Sequence, residues 1–149
     1  MINSYEINLS TVALVPYERN KTQVIEDNKT LFVKDTPTNI IDNSCKFFGS
    51  SYLGRHEGTK NIIGISYKAP IIIEESREII FFPTNSPRLD NCYWISLNKI
   101  EKYFSYESKT KILFKNGSEL VIDISYGSFD NQILRSTLLE SVLRKRKIC

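Results

Sequence analysis

Apolar and polar residues alternate through the first third of the chain, the period-two pattern of half-buried strands. Tyr5, Ile7 and Leu9 share one face, and Val12 and Leu14 lead to Pro16. Gln23-Val24-Ile25 and Leu31-Phe32-Val33 flank Glu26-Asp27-Asn28-Lys29, a polar stretch suited to a hairpin turn. Three or four short antiparallel strands are expected over residues 4–34. From Pro37 the period lengthens. Ile41, Cys45, Phe48 and Tyr52 recur at spacings of four, three and four, one stripe of a helix near 38–48 that Pro37 is suited to start. Gly49-Ser50-Ser51 then breaks the pattern, and Gly54, Gly58 and Gly64 follow. Each glycine costs about 1 kcal/mol in a helix interior, so residues 49–61 are expected to form a loop or a broken helix.

Strand patterns resume at Ile62-Ile63-Gly64-Ile65, Ile71-Ile72-Ile73, Ile79 to Phe82 and Tyr93-Trp94-Ile95, with a turn-rich loop from Pro83 to Asn91. Lys111 to Phe114 and Leu120-Val121-Ile122 flank Asn116-Gly117, which predicts a hairpin closed by a type I′ turn. Ser128 offers a helix N-cap with Asp130 in the first turn. Phe129, Ile133, Leu134, Leu138, Leu139, Val142 and Leu143 then trace a helical stripe over about 129–146. The expected architecture is α+β: one antiparallel β-rich domain, residues 1–149, with a short helix near 38–48 and a long C-terminal helix near 129–146.

Composition narrows the class. Hydrophobic residues make up 41% and charged residues 25% of 149, the balance of a globular domain rather than a disordered chain. The longest apolar run is far shorter than the ~20 residues of a membrane-spanning helix. Met1 to Glu6 carry neither a basic flank nor an apolar stretch, so no signal peptide is expected. Cys45, Cys92 and Cys149 have no paired spacing and read as free thiols of a reducing cytoplasm. Twenty Ile, thirteen Lys and twelve Asn against two Ala point to codons rich in A and T.

The net charge of +3 builds toward the C-terminus, from −1 over residues 1–50 to +3 over 101–149. That permits a polyanionic partner without requiring one. Catalytic signatures are absent. Cys45 and His56 lack a third group to orient them as nucleophile and base, and Cys45 falls on an apolar stripe. One His and three scattered Cys give no zinc spacing, and no phosphate-loop or dinucleotide motif occurs. The expectation is a protein without catalytic residues, metal or cofactor.

The glycine-rich stretch is the best candidate for a ligand. Lys46, Ser50, Ser51, Tyr52, Arg55, His56, Thr59 and Lys60 crowd cationic and hydroxyl donors beside backbone that can approach a ligand closely. These are the groups that hold phosphate oxygens. Their alternative reading is an ordinary solvated turn.

The run Ser44-Cys45-Lys46-Phe47-Phe48-Gly49-Ser50-Ser51-Tyr52-Leu53-Gly54-Arg55, continuing to Glu57-Gly58-Thr59, closely resembles the signature of ComK, the competence transcription factor family of low-GC Gram-positive bacteria. Further matches follow in order: Ile65 to Lys68 with Pro70-Ile71, Phe82-Pro83-Thr84, Trp94-Ile95-Ser96, Ile124-Ser125-Tyr126, Ser128-Phe129 and Asn131-Gln132. The resemblance extends from about Tyr5 through the last helix, and Tyr67 stands where a histidine can occur.

What the resemblance implies is a cytoplasmic, DNA-binding transcriptional activator of DNA-uptake genes. The family recognises paired A·T-rich boxes from the minor-groove side of double-stranded DNA and binds as a dimer of dimers. It is also delivered to a Clp protease by an adaptor. Longer members carry the adaptor-recognition segment beyond the final helix, and Cys149 follows directly on the basic run, so adaptor control is not carried over with the rest. The alternative is a shortened chain that oligomerises with a full-length partner without activating transcription.

Physical chemistry assigns the contacts within that reading. The minor groove offers A·T pairs only acceptors, so Arg55 is the expected groove reader. Lys46, Lys60 and Lys68 would neutralise phosphates, with Ser50, Ser51 and Thr59 as neutral donors. Asn131 and Gln132 would meet phosphate at the start of the last helix, or simply cap it. Arg144 to Lys147 would clamp the backbone, or only complement the helix dipole.

Overall fold

Two antiparallel sheets and three helices make up the computed structural model, which describes residues 1–148. Cys149 lies outside the described residues. The larger sheet contains β1 (Thr11–Pro16), β2 (Thr22–Glu26), β3 (Thr30–Val33), β4 (Ile71–Glu74), β5 (Ile79–Pro83) and β6 (Trp94–Ser96), in the order β3-β2-β1-β6-β5-β4. Its centre is the long-range pairing of β1 with β6, Ala13 opposite Ile95 and Leu14 opposite Trp94. All five residues of β5 are buried, because this sheet is covered on both faces.

One face receives α1 (Pro37–Phe47), whose Ile40, Ile41 and Cys45 pack with Leu14, Val24, Phe81 and Trp94. The other receives the smaller sheet, β7 (Ile100–Tyr106), β8 (Lys109–Phe114) and β9 (Glu119–Ile122), together with α3 (Tyr126–Ile148). There Val12, Val15, Phe82 and Ile95 meet Ile112, Phe114, Ile122 and Phe129. The α+β class, the helix near 38–48 and the long C-terminal helix are all present.

Several local expectations are corrected. Residues 49–61 are not a loop: α2 spans Tyr52–Ile63. Only the connection between the helices is irregular. Gly49, at φ +88°, closes α1 with paired bonds from Gly49 N–H to Lys46 O and from Ser50 N–H to Cys45 O. Ser51 then starts α2, its hydroxyl accepting the Gly54 N–H at 3.0 Å. Ile62 and Ile63 end α2 rather than begin a strand, and they pack on Leu139 and Leu143 of α3.

Residues 5–9 form no strand, and Ile100–Tyr106 is a strand, β7, that no regular alternation announces. The Asn116-Gly117 hairpin exists without a type I′ turn. Only Gly117 has positive φ (+91°), and Gly117 N–H bonds Phe114 O, a turn followed by a left-handed bulge residue. Helix α3 starts three residues before the expected point. Ser125, not Ser128, caps it, accepting the Ser128 N–H at 3.2 Å. The α3 stripe also divides: Phe129, Gln132, Ser136, Leu139 and Leu143 are buried, while Leu134 and Leu138 are exposed.

Candidate nucleic-acid interface

The Ser44 to Thr59 signature folds into the corner between α1 and α2, and its centre is Tyr52. Asp42, on α1, accepts the Tyr52 N–H at 2.9 Å. The Tyr52 ring stands edge-on to Trp94, with centroids 6.2 Å apart, and lies 5.8 Å from the His56 ring. Trp94 Nε1–H donates to the Thr38 hydroxyl, which donates in turn to Pro87 O. A chain of packed and bonded groups therefore fixes the corner to the Pro83–Asn91 loop.

A hollow of about 300 Å³ opens between them, lined by Tyr52, His56, Tyr67, Lys68 and Arg88 among others, and no carboxylate lines it. His56 Nε2–H donates to Ser66 O at 2.7 Å and ties the 64–70 turn to α2. Lys68 has φ +49°, and its carbonyl accepts the Gln132 side-chain amide at 2.9 Å. The Lys68 ammonium lies 5.5 Å from the centre of the exposed Tyr67 ring. Pro87 and Arg88 also border a larger cleft of about 750 Å³, lined as well by Arg19, Asp90 and the Lys21–Glu18 pair at 3.1 Å. Lys68 and Arg88 thus border, with Tyr52 and Tyr67, a carboxylate-free hollow beside the first turns of α2.

The expected contact residues separate into three groups. Lys46, with Ser51 and Tyr52, borders a second hollow on the far side of Tyr52, where it pairs with Asp42 at 2.9 Å and stays 60% exposed. Lys60 is exposed near the C-terminal end of α2, about 12 Å along the helix from Tyr52. Ser50 and Ser51 are half-buried, and Ser51 is committed to the helix cap as acceptor. These four, with Lys68, keep groups accessible to a ligand.

Thr59 and Gln132 do not. Thr59 is fully buried and its hydroxyl donates to Pro70 O at 2.6 Å. Gln132 is 2% exposed, and its amide donates to Lys68 O and Pro83 O. Both hold the scaffold beneath the surface instead of touching a phosphate. Asn131 is exposed, but it sits in the second turn of α3 because the helix begins at Tyr126. Its backbone amide lies beyond the free N–H groups of the first turn.

Arg55 is half-buried, with Nε enclosed and without a hydrogen-bond partner among the described residues. In the terminal basic run, Arg144 is engaged by both Glu78 carboxylate oxygens at 2.7 and 2.9 Å, and Lys147 Nζ donates to Glu75 O. Lys145 and Arg146 stay exposed.

Sequence reasoning passed over Arg88 and Arg19, and placed His56 among the donors of the glycine-rich stretch without its tie to Ser66. Arg88 had one usable signal, a cation directly after Pro87 in a turn-rich loop. The His56 tie had none, since it depends on Ser66 being brought beside α2. No nucleophile–base arrangement involves His56: Cys45 is sealed in the core, and burial, only partly opposed by the Arg55 charge, pushes its thiol up to about 12. Among the described residues no three His, Cys, Asp or Glu side chains group as metal ligands. No helix among them is long and apolar enough to cross a membrane.

These features define an α+β domain with cationic and aromatic side chains gathered at a corner between two helices and a loop. Residues 2–148 match the family described as ComK protein, and the chain belongs to the ComK family. It is 38% identical to the competence transcription factor of Bacillus subtilis (strain 168), over 97% of this chain and 78% of that protein. No solved structure matches the chain.

Proposed function

We propose that this protein is a cytoplasmic DNA-binding regulator that activates transcription of competence genes. It reads A·T-rich boxes of double-stranded DNA from the minor-groove side, as a dimer or dimer of dimers. The observation that carries this reading is the kinship with a competence transcription factor along nearly the whole chain. The carboxylate-free hollow beside Tyr52 supports it, because its Lys68 and Arg88 edges are donors matched to phosphate and to the acceptors of the minor-groove floor.

Within this reading Lys46, Lys60 and Lys68 neutralise phosphates, and Ser50 and Ser51 lie against the backbone between them. Arg88 takes the part of groove reader. It is exposed on a proline-punctuated loop, whereas Arg55 holds its guanidinium Nε inside the α1–α2 corner. An inserted guanidinium suits the enhanced negative potential of a narrow A·T groove. Two dimers on neighbouring boxes would sit about one helical turn apart, roughly 10–10.5 bp, or a multiple of that spacing.

The test is a mobility-shift titration with Arg88→Ala, Lys68→Ala and Arg55→Ala. Arg88→Ala removes the preference for A·T over G·C boxes, and Lys68→Ala weakens both boxes alike. Loss of A·T preference in Arg55→Ala instead of Arg88→Ala returns the reading role to Arg55.

A second reading is favoured by Leu134 and Leu138, exposed at 61% and 48% one turn apart on α3. There the chain is an interaction module that oligomerises with a longer partner through this strip and does not itself activate transcription. It predicts tight association with such a partner and little affinity for the boxes alone.

A further inference from the structure

The solvent face of the smaller sheet has a composition that its structural role does not require. Register fixes which residues share it. Lys102 lies opposite Leu113, which lies opposite Glu119, and Phe104 lies opposite Lys111, which lies opposite Val121. Tyr106 and Lys109 complete the face at the β7–β8 turn. The other face, with Ile112, Phe114 and Ile122, is the one buried against the larger sheet. Phe104 and Tyr106 are 40% and 45% exposed, large aromatic rings left open to solvent on this face. Glu119 pairs with Lys111 at 3.2 Å, while Lys102 and Lys109 form no ion pair among the described residues; the exposed Glu101, at the β7 bulge, and Asp123, just past β9, are the carboxylates at the margins of the face.

We propose that this face binds single-stranded nucleic acid, with Phe104 and Tyr106 as stacking platforms and Lys102, Lys109 and Lys111 as phosphate partners. The two rings project from alternate positions of one edge strand, so their attachment points lie about 7 Å apart on one side of β7. That leaves room for each ring to take the flat face of an unpaired base, a face that duplex stacking hides. Such sheets bind single strands by combining aromatic platforms with a cationic track, with little regard to sequence. Lys111 already lies 5.3 Å from the centre of the Tyr106 ring, beside where the sugar–phosphate backbone would pass. Charge selects this occupant over a second copy of the chain, because face-to-face self-association would oppose the lysines of each copy.

The larger sheet separates this face from the α1–α2 corner. The inference therefore goes beyond the duplex-binding reading and survives or fails independently of it.

The experiment is a fluorescence-anisotropy titration of the full chain with a labelled oligothymidylate of about 15 nucleotides. Phe104→Leu and Tyr106→Leu keep an apolar side chain and remove the ring. Each should weaken binding about tenfold, and Lys102→Gln with Lys109→Gln should flatten the salt dependence. Affinity for an A·T-rich two-box duplex should stay unchanged in all four, while Lys68→Ala and Arg88→Ala should leave oligothymidylate binding intact. Urea midpoints equal to that of the parent chain exclude a folding defect. The proposal is overturned if oligothymidylate does not bind, if the leucine variants bind it as well as the parent, or if they lose duplex affinity in parallel. A change of oligomeric state in the leucine variants, seen by sedimentation, assigns the face to a second copy and overturns it equally.

Discussion

Asp42 of α1 accepts the backbone N–H of Tyr52, the first residue of α2, at 2.9 Å. One helix thereby terminates the next, and the corner between them is held by a charge-assisted bond as well as by packing. The Tyr52 N–H and the Lys46 ammonium hold the Asp42 carboxyl below its ordinary value, against the opposing effect of partial burial. A group depressed in this way stabilises the fold above its unfolded value of about 3.9, and that contribution disappears as pH falls through the folded value. Asp42→Ala should cost about 1 kcal/mol at neutral pH. Asp42→Asn should retain part of the cap while losing stability less steeply than the parent on acidification below about pH 4. Urea unfolding at neutral and acidic pH measures both.

Gln132 reaches from α3 to two carbonyls of different segments, Lys68 O at 2.9 Å and Pro83 O at 2.7 Å, while its own oxygen accepts from Arg135. Gln132→Leu fills most of the space and abandons both carbonyls. It should destabilise the fold by about 2–3 kcal/mol and loosen the turn that presents Lys68. Chemical denaturation gives the first effect. Amide exchange of residues 64–70 gives the second, as faster exchange confined to that turn.

Burial raises the Cys45 thiol to about 12 and the Cys92 thiol to about 11. Neither should react with a disulfide reagent in the native protein near pH 8, since the thiolate is the nucleophile. In a Cys149→Ser background the native protein should give no prompt reaction, and both thiols should become titratable in denaturant.

The Arg144 guanidinium grips both oxygens of Glu78, a residue held at φ +56° in the β4–β5 turn. This makes the end of α3 a fastening for that turn. Arg144→Ala should leave duplex affinity and its salt slope unchanged, with only a small, salt-screened loss of stability. Parallel binding and thermal-melting measurements check it.

Periodicity was sufficient for α1, for most of the strands and for the buried half of α3, because one face of each repeats an apolar residue at the right interval. It was insufficient for α2. Gly54 and Gly58 weigh against that helix by about 2 kcal/mol together, and no regular apolar stripe announces it. What outweighs them is supplied from outside the segment or at its ends: the Asp42 bond, the Ser51 cap, the Thr59 hydroxyl on Pro70 O, and the seat of Ile62 and Ile63 on α3. The same limit governed the candidate interface. Lys46 and Lys68 were visible as cations near a conspicuous motif, whereas Arg88 joins them only because Thr38 and Trp94 bring its loop beside Tyr52. Thr59 and Gln132 have the chemistry of phosphate donors, but that chemistry is used internally.

The most direct measurement of the central claim is a titration of the purified chain against an A·T-rich two-box duplex and a G·C-matched control at two salt concentrations. The account predicts preference for the A·T duplex. If about six phosphates are neutralised, affinity should fall with salt at a log–log slope near −5, a slope that Lys68→Ala should reduce by about one. Equal affinity for both duplexes, or a slope near zero, would contradict it.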